Sequence, residues 1–435
     1  MNVSFVSLGC DKNRVNTEQM MALCLQAGIT VQEDCPGSDV VVINTCGFID
    51  SAKSEAIDTI LSAAQLKDAG EIQKILVTGC LSQRYQADIL EELPEIDGIM
   101  GTGSYSEVVS VVEAVLAGDK PTRRGAISAP LYDTPRAVST GPNWAYLRIA
   151  EGCDNRCAYC VIPSLRGKFR SRTKESILEE ARLLAASGVK ELIIVAQDIT
   201  RYGIDLYGKV CLTELLKELC KLDFRWVRLH YLYPELIDDE LIDEIASEDK
   251  IVKYLDIPIQ HINDTILRRM NRRGTGEEIR ALFKKLRERI PGLVLRTSLI
   301  TGLPGEGEAE FEELCDFLRE AKIERAGVFP YSPEEGTPAA LMPDRCSTEE
   351  AQRRAELCME IQAEIMDGFA ETFIGRELDV LVMGREPDGT PWGRSEYDSP
   401  DIDSRVIFSG DAAPGDMVRV RIDSVDDGEL IGEQI

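Results

Sequence analysis

Histidine is almost absent from this chain: its 435 residues include two, His230 and His261. That scarcity argues against zinc sites built on imidazole and against a histidine acid–base mechanism. No stretch approaches the roughly 20 apolar residues that span a bilayer. Residues 1–8 lack the basic region, apolar run and cleavage site of a secretory signal, so the expected location is cytoplasmic, with no membrane partner. Aromatic residues make up 6% and hydrophobic residues 44%, the balance of a globular chain. Positive charge is in deficit, 49 Lys and Arg against 76 Asp and Glu, net −27. Such a surface disfavours a polyanion. Cysteine, by contrast, is plentiful at 13 residues. A reducing compartment leaves these as thiols rather than disulfides, and thiolates are what iron–sulfur chemistry requires. Cys24, Cys220, Cys315 and Cys358 fall in helical patterns and read as core residues.

The length allows two or three domains. The first region alternates strand and helix signals: strands at Val3–Ser7, Val40–Ile43, Lys74–Val77 and Gly98–Met100, with helices at Thr17–Ala27, Ser51–Ala64, Gln83–Leu90 and Ser106–Leu116. A β-α repeat of this kind implies a doubly wound parallel sheet. Gly118 to Asn143, with Pro121, Pro130, Pro135 and Pro142, reads as a linker or wrapping segment. A second series then runs through strands at Trp144–Ala150, Leu192–Ala196, Val227–Tyr231, Lys253–Asp256, Leu293–Ser298 and Ala326–Phe329. Helices fit between most of them, notably 174–187, 277–289 and 308–321. Six such units predict a partial or full (β/α)6 barrel with its site at the C-terminal strand ends. Residues 349–373 predict one long helix. Five short strands beyond it predict a small antiparallel β-barrel. The expected division is 1–117, a linker 118–138, a core 139–365 and a barrel 366–435.

Cys153, Cys157 and Cys160 follow directly on the first strand of the second series as C-x3-C-x2-C. Three thiolates hold three corners of a four-iron cluster and leave the fourth iron open. Such a loop resembles that of radical-SAM enzymes. There the open iron chelates the amino and carboxylate groups of S-adenosylmethionine, and electron transfer into the sulfonium yields a 5′-deoxyadenosyl radical. The alternatives are a zinc knuckle or unrelated thiols. A knuckle needs a fourth Cys or His nearby, and none follows before Cys211. Tyr159 stands where an aromatic either covers a cluster and touches the cofactor or packs in the core.

Cys10, Cys46 and Cys80 share no short spacing, but each follows a predicted parallel strand. In a doubly wound sheet the carboxyl ends of adjacent strands open on one crevice. Topology therefore delivers Gly9-Cys10, Cys46-Gly47 and Gly79-Cys80 to one place, each with a glycine that permits close backbone approach. A second three-cysteine cluster is expected there; three small apolar residues at strand ends is the alternative.

These segments carry a family resemblance. Ser7-Leu8-Gly9-Cys10-Asp11-Lys12-Asn13, Asn44-Thr45-Cys46-Gly47-Phe48-Ile49 and Thr78-Gly79-Cys80-Leu81 resemble the N-terminal domain of methylthiotransferases. Glu151-Gly152-Cys153 through Arg166-Gly167, then Ser171-Arg172, resembles their radical-SAM core, and the terminal β-region resembles their TRAM domain. Cys46 through Lys53 and Leu229-His230-Tyr231-Leu232-Tyr233-Pro234 are most similar to the branch that methylthiolates the β-carbon of an aspartate in a small-subunit ribosomal protein, protein twelve. The sister branch modifies an adenosine in tRNA. Asp11 and Asn16 depart from the first branch, which usually has proline and often aspartate at those places.

The resemblance implies two [4Fe–4S] clusters, with S-adenosylmethionine as both radical source and methyl donor. The second cluster is implied to carry the sulfur. An electron donor such as flavodoxin or ferredoxin is also implied, with the ribosomal protein free or on the ribosome. It places Gln197 and Asp198 near the amino end of the cofactor. Asp256 and Gln260 end another strand, Arg296 is suited to a carboxylate or ribose, and Thr301 to Glu306, with Gly302, Pro304 and Gly305, resembles the adenine-side loop. Structural or capping roles remain open for each, and no protein acid or base is expected. His230 reads equally as a satisfied core histidine. Charge bears on the acceptor. Residues 1–117 and 366–435 each hold six basic and seventeen acidic residues, net −11. A barrel gripping tRNA should be basic, so an acidic one suits a basic ribosomal protein. The run Arg166, Lys168, Arg170 and Arg172 either touches nucleic acid or pairs with the acidic N-terminal region, so direct RNA contact stays open. The alternatives are a tRNA adenosine methylthiotransferase and a non-catalytic iron–sulfur electron carrier or ribosome-binding factor.

Overall fold

The computed structural model describes residues 1–128, 135–141 and 143–435. Among them the strands form two six-stranded sheets, one closed five-stranded barrel and one two-stranded ladder. The chain divides into two compact units. The first holds residues 1–139, 150–172 and 332–340, and the second holds 140–149, 173–331 and 341–435.

In the first unit, strands β1 (Asn2–Ser7), β2 (Thr30–Gln32), β3 (Val40–Thr45), β4 (Lys74–Gly79), β5 (Gly98–Gly103) and β6 (Thr122–Gly125) run in the order β2-β1-β3-β4-β5-β6, all parallel. Strand β3 is buried along its whole length, as a run of Val and Ile in the middle of a two-sided parallel sheet should be. Helices α1 (Asp11–Gln26), α2 (Asp50–Asp68), α3 (Cys80–Arg84), α4 (Gln86–Glu92) and α5 (Val108–Leu116) supply its connections. Val3, Met20, Val42 and Val112 pack on one face of the sheet, and Ile43, Ile60, Val77 and Ile89 on the other. This is the expected doubly wound arrangement.

Helix α1 begins at Asp11, six residues before the periodicity predicts. Its first turns are polar, yet Asp11, Lys12, Asn13, Asn16 and Thr17 are all buried. They bury against polar backbone rather than against an apolar core, so no hydrophobic stripe announces them. Strand β6 lies in the segment read as a linker. It is an exposed edge strand, Thr-Arg-Arg-Gly, with no apolar alternation. Pro130 and Pro142 of that segment lie outside the described residues. The unit also holds a short ladder in which β8 (Ala150–Glu151) pairs antiparallel with β9 (Arg170–Ser171). Helix α6 (Ile162–Arg166) stands between β8 and β9 in sequence.

In the second unit, β7 (Trp144–Arg148), β10 (Glu191–Val195), β11 (Trp226–Leu229), β12 (Ile251–Asp256), β13 (Val294–Thr301) and β14 (Arg325–Pro330) form a parallel sheet in chain order. Its edges β7 and β14 are not paired to each other, so the sheet is the partial form of the expected barrel. The helix Thr348–Glu371 follows. Strands β15 (Glu377–Arg385), β16 (Pro391–Ser395), β17 (Val406–Ser409), β18 (Met417–Asp426) and β19 (Glu429–Gln434) then close the small barrel around Val380, Val406, Phe408 and Val420. One of its pairings, β17 with β19, is parallel. No helix of the described residues is long and apolar enough to cross a membrane.

Candidate functional site

Cys10 lies between β1 and α1, Cys46 follows β3, and Cys80 opens α3 at the end of β4. Strands β1, β3 and β4 are neighbours, with Ser7 beside Asn44 and Thr45 beside Gly79. The three cysteines therefore meet at one sheet end, as the topology predicts.

The glycines beside them serve a use the sequence did not show. A Cβ on Gly9 would sit 2.6 Å from Cβ of Cys46, and one on Gly47 would sit 2.7 Å from Cα of Leu81. On Gly79 it would meet the Thr45 carbonyl oxygen at 2.4 Å. The close approaches are between the cysteine loops themselves.

Polar contacts complete the seam. The Asn13 side-chain amide donates to the carbonyls of Leu8 and Thr45, both at 3.0 Å, while the Asn13 backbone carbonyl accepts from the Asn44 side-chain amide at 2.9 Å. Asn44 also donates to Thr17 Oγ1 at 2.9 Å, and Thr45 Oγ1 donates to the Thr78 carbonyl at 2.6 Å. Asn13 is thus a cross-brace between the Cys10 and Cys46 loops.

Burial, with Cys10 and Cys80 alongside, pushes the Cys46 thiol up to about 12. Burial also raises Cys80, opposed by the nearby Arg166 guanidinium. The Cys46 and Cys80 thiols therefore resist deprotonation unless a cationic core compensates them. Among the described residues no three His, Cys, Asp or Glu side chains converge as a site for one metal ion. In a cluster each thiolate meets its own iron, which calls for wider spacing. An all-sulfur donor set of this kind fits iron–sulfur ligation.

Cys153, Cys157 and Cys160 occupy the loop after β8. Cys153 and Cys157 are buried and Cys160 is half-buried. The loop is clamped at its base. The Cys153 amide donates to the Gly167 carbonyl at 3.1 Å, and the Phe169 amide donates to Asp154 Oδ1 at 3.2 Å. A Cβ on Gly152 would meet the Lys168 carbonyl oxygen at 2.2 Å. Within the loop, the Ile162 amide donates to Cys160 Sγ at 3.5 Å. Tyr159 is half-buried.

The two cysteine sets lie in one compact unit, and Cys80 packs against the stretch that follows Cys160. Cys80 packs in an apolar cluster with Val161, Leu165 and Phe48, and Val161 is the residue after Cys160. Arg166, at the end of α6, donates to Cys80 Sγ at 3.4 Å, to Asn16 Oδ1 at 2.7 Å and to Asn13 Oδ1. It also pairs with Glu151 at 3.4 Å. Nearby, Arg84 Nη1 and Lys53 Nζ converge on Glu334 Oε2 at 2.6 and 3.0 Å, and Arg84 donates to the Gly47 carbonyl at 3.1 Å. Asn13 and Arg166 were not singled out as site residues. The one signal available was their place within the conspicuous segments around Cys10 and Cys160. The basic run turns inward: Arg166 and Arg172 are buried, while Arg170 donates to the carbonyls of Arg166 and Lys168.

The remaining candidates lie in the second unit. Gln197 and Asp198 follow β10, and Asp198 Oδ1 accepts the Thr200 amide at 3.1 Å, capping a short helical turn. Asp256 and Arg296 are register partners on β12 and β13 and form an ion pair at 2.8 Å. Gln260 has φ +73° and bridges β13 through its backbone: its amide donates to Ser298, and its carbonyl accepts from Ile300. Gly302, Pro304 and Gly305 form a loop after β13 held by Glu306. Oε1 of Glu306 accepts the Gly302 amide at 2.9 Å and Arg354 Nη1 at 2.9 Å. His261 lies 3.4 Å from the other oxygen of Glu306, and its Nδ1 accepts the Asn263 amide, so Nε2 carries the proton. His230 is a buried histidine 3.0 Å from Ser399 Oγ.

Known proteins match this chain along its length. Residues 147–318 match the radical SAM superfamily, residues 2–101 the uncharacterized protein family UPF0004, and residues 374–435 the TRAM domain. Membership of the radical SAM superfamily implies a [4Fe–4S] cluster and S-adenosylmethionine. A ribosomal protein uS12 methylthiotransferase RimO of Lachnoclostridium phytofermentans is 46% identical over 437 residues, 99% of each chain. The protein of the same name from Pelotomaculum thermopropionicum is 48% identical over 442 residues, 100% of this chain and 99% of its own. Among solved structures, the radical S-adenosylmethionine methyltransferase TsrM of Kitasatospora setae shares the fold, with a TM-score of 0.56 at 15% identity over 78% of this chain and 77% of its own. With the domain matches and near-half identity over the full length in agreement, the chain belongs to the RimO family of radical-SAM methylthiotransferases.

Proposed function

We propose that this chain adds a methylthio group to the β-carbon of an aspartate in ribosomal protein uS12. In this reading Cys153, Cys157 and Cys160 hold one [4Fe–4S] cluster, and Cys10, Cys46 and Cys80 hold a second. The observation that carries it is the packing of Cys80 against Val161, Leu165 and Arg166, the stretch that leads directly away from Cys160. Sulfur transfer to carbon needs the two cysteine sets at one place. When bound, two such clusters and S-adenosylmethionine supply reductive cleavage of a sulfonium bond, hydrogen abstraction from carbon, a methyl group and a carrier for the sulfur.

The chain's own residues bind and orient. Asn13 and the glycines hold the N-terminal cysteine loops together, and the Gly167 carbonyl and Asp154 hold the Cys153 loop. Arg296, anchored by Asp256, keeps further N–H groups to offer a cofactor carboxylate or ribose. The Gly302–Gly305 backbone, pinned by Glu306, is suited to the adenine side. Gln197 and Asp198 after β10 and Gln260 after β12 are assigned to the same cofactor, and Tyr159 to covering the cluster and contacting the cofactor. No side chain is assigned as a proton shuttle.

The net charge of −11 over residues 366–435 favours a basic ribosomal protein over tRNA as the acceptor. Burial of Arg166 and Arg172 leaves only Lys168 and Arg170 of the basic run toward solvent, which weakens the case for RNA. The reading retains the four-part division at 117, 138 and 365, a cytoplasmic location, and reduction by a flavodoxin or ferredoxin. The test is a reaction of the reconstituted chain with S-adenosylmethionine, a sulfide source, a reductant and either intact uS12 or an anticodon stem-loop. Methylthio mass gained by uS12 alone supports the proposal; mass gained by the RNA alone sinks it.

A further inference from the structure

We infer that Arg166 is a positioning residue that donates a hydrogen bond to the Cys80 sulfur and thereby raises the reduction potential of the cluster held by Cys10, Cys46 and Cys80. The inference rests on the reading of those cysteines as cluster ligands.

Arg166 is 4% exposed, and its side chain is held at several points. Nη1 reaches Asn16 Oδ1 at 2.7 Å and Glu151 Oε2 at 3.4 Å, and Nη2 reaches Asn13 Oδ1 and Cys80 Sγ at 3.4 Å. Asn13 is itself braced against the Leu8 and Thr45 carbonyls, so the fork cannot swing away from the sulfur. Glu151 pairs with the guanidinium through Oε2 at 3.4 Å. It stands at the long end of ion-pair range, and its other oxygen accepts the Gly152 amide at 3.3 Å. Glu151 meets the Nη1 arm of the fork, and the Nη2 arm faces Cys80. The residue belongs to α6, which follows Cys160, yet its fork ends on a ligand of the other set.

Hydrogen bonds to ligand sulfurs and net local charge are what set cluster potentials. An N–H aimed at the Cys80 sulfur stabilises the reduced, more negative form, more strongly because the site is buried. Lysine would keep the charge but lose the planar fork that reaches both asparagines and the sulfur together.

The test uses the full-length chain with Cys153, Cys157 and Cys160 changed to alanine, so that iron reports the N-terminal set alone. The readout is a redox titration followed by electron paramagnetic resonance. Arg166→Met is expected to load iron and to titrate at a more negative potential than its parent. Arg166→Lys is expected between the two, and it decides the matter if the methionine chain does not load. A loaded variant titrating at the parent potential overturns the inference. Failure of both variants to load also contradicts it, because a group that tunes the cluster is not needed to hold it. A parent chain that takes up no iron would instead overturn the ligand reading underneath. Methylthiolation activity enters no arm of the test.

Discussion

Gly9 is pressed against Cys46: a Cβ on Gly9 would lie 2.6 Å from Cβ and 3.0 Å from Sγ of Cys46, at a backbone φ of +78°. Both the contact and the left-handed conformation exclude a side chain. Gly9→Ala should therefore part the Cys10 and Cys46 loops and lower iron content by about half, leaving the Cys153 set loaded. Iron analysis beside the Cys153→Ala variant checks this. Full loading in Gly9→Ala would contradict it.

Asn13 braces the same loops from the helix side. Removing its amide in Asn13→Ala leaves the half-buried Leu8 and buried Thr45 carbonyls short of a donor, which costs about 1–3 kcal/mol. Denaturant unfolding of the iron-free chain should show that loss. An unchanged midpoint would mean the brace is dispensable.

Cys10, Cys46 and Cys80 were legible because strand ends in a parallel sheet are predictable from short apolar runs, and topology then does the gathering. The five barrel strands and the 24-residue helix before them were legible for the same reason, strong periodicity. Asn13 and Arg166 were not. Their contact joins residues 153 apart in sequence, and polar side chains buried against backbone leave no period. Likewise α1 begins before its apolar stripe, and β6 is four exposed residues at a sheet edge.

Glu191 is fully buried between two guanidiniums, 2.6 Å from Arg228 Nε and 2.6 Å from Arg394 Nη2, so it ties the small barrel to the parallel sheet. Burial alone would raise its pKa, but Arg228 and Arg394 hold it below the usual glutamate value. A depressed carboxylate contributes stability that is present above its unfolded value and lost as pH falls through the folded one. Glu191→Gln should cost about 3–5 kcal/mol at neutral pH, because two buried charges lose their partner. Melting curves at pH 7 and in the acid range should show the variant without that acid-linked loss. A wild-type melting curve from Glu191→Gln at neutral pH would count against the tie.

Glu306 accepts both the Gly302 amide and Arg354. Replacing it by alanine unpins the loop assigned to the adenine side, at a cost of about 1–3 kcal/mol. Calorimetry should read this as roughly tenfold weaker S-adenosylmethionine binding, with iron content unchanged. Equal affinity would move the adenine to another loop.

The most direct measurement is mass spectrometry of ribosomal proteins and tRNA nucleosides from cells with and without this gene. The account predicts that uS12 loses its methylthio mass when the gene is removed, with the tRNA nucleosides unchanged. Loss of the methylthio mass from tRNA, with uS12 unaltered, would contradict it.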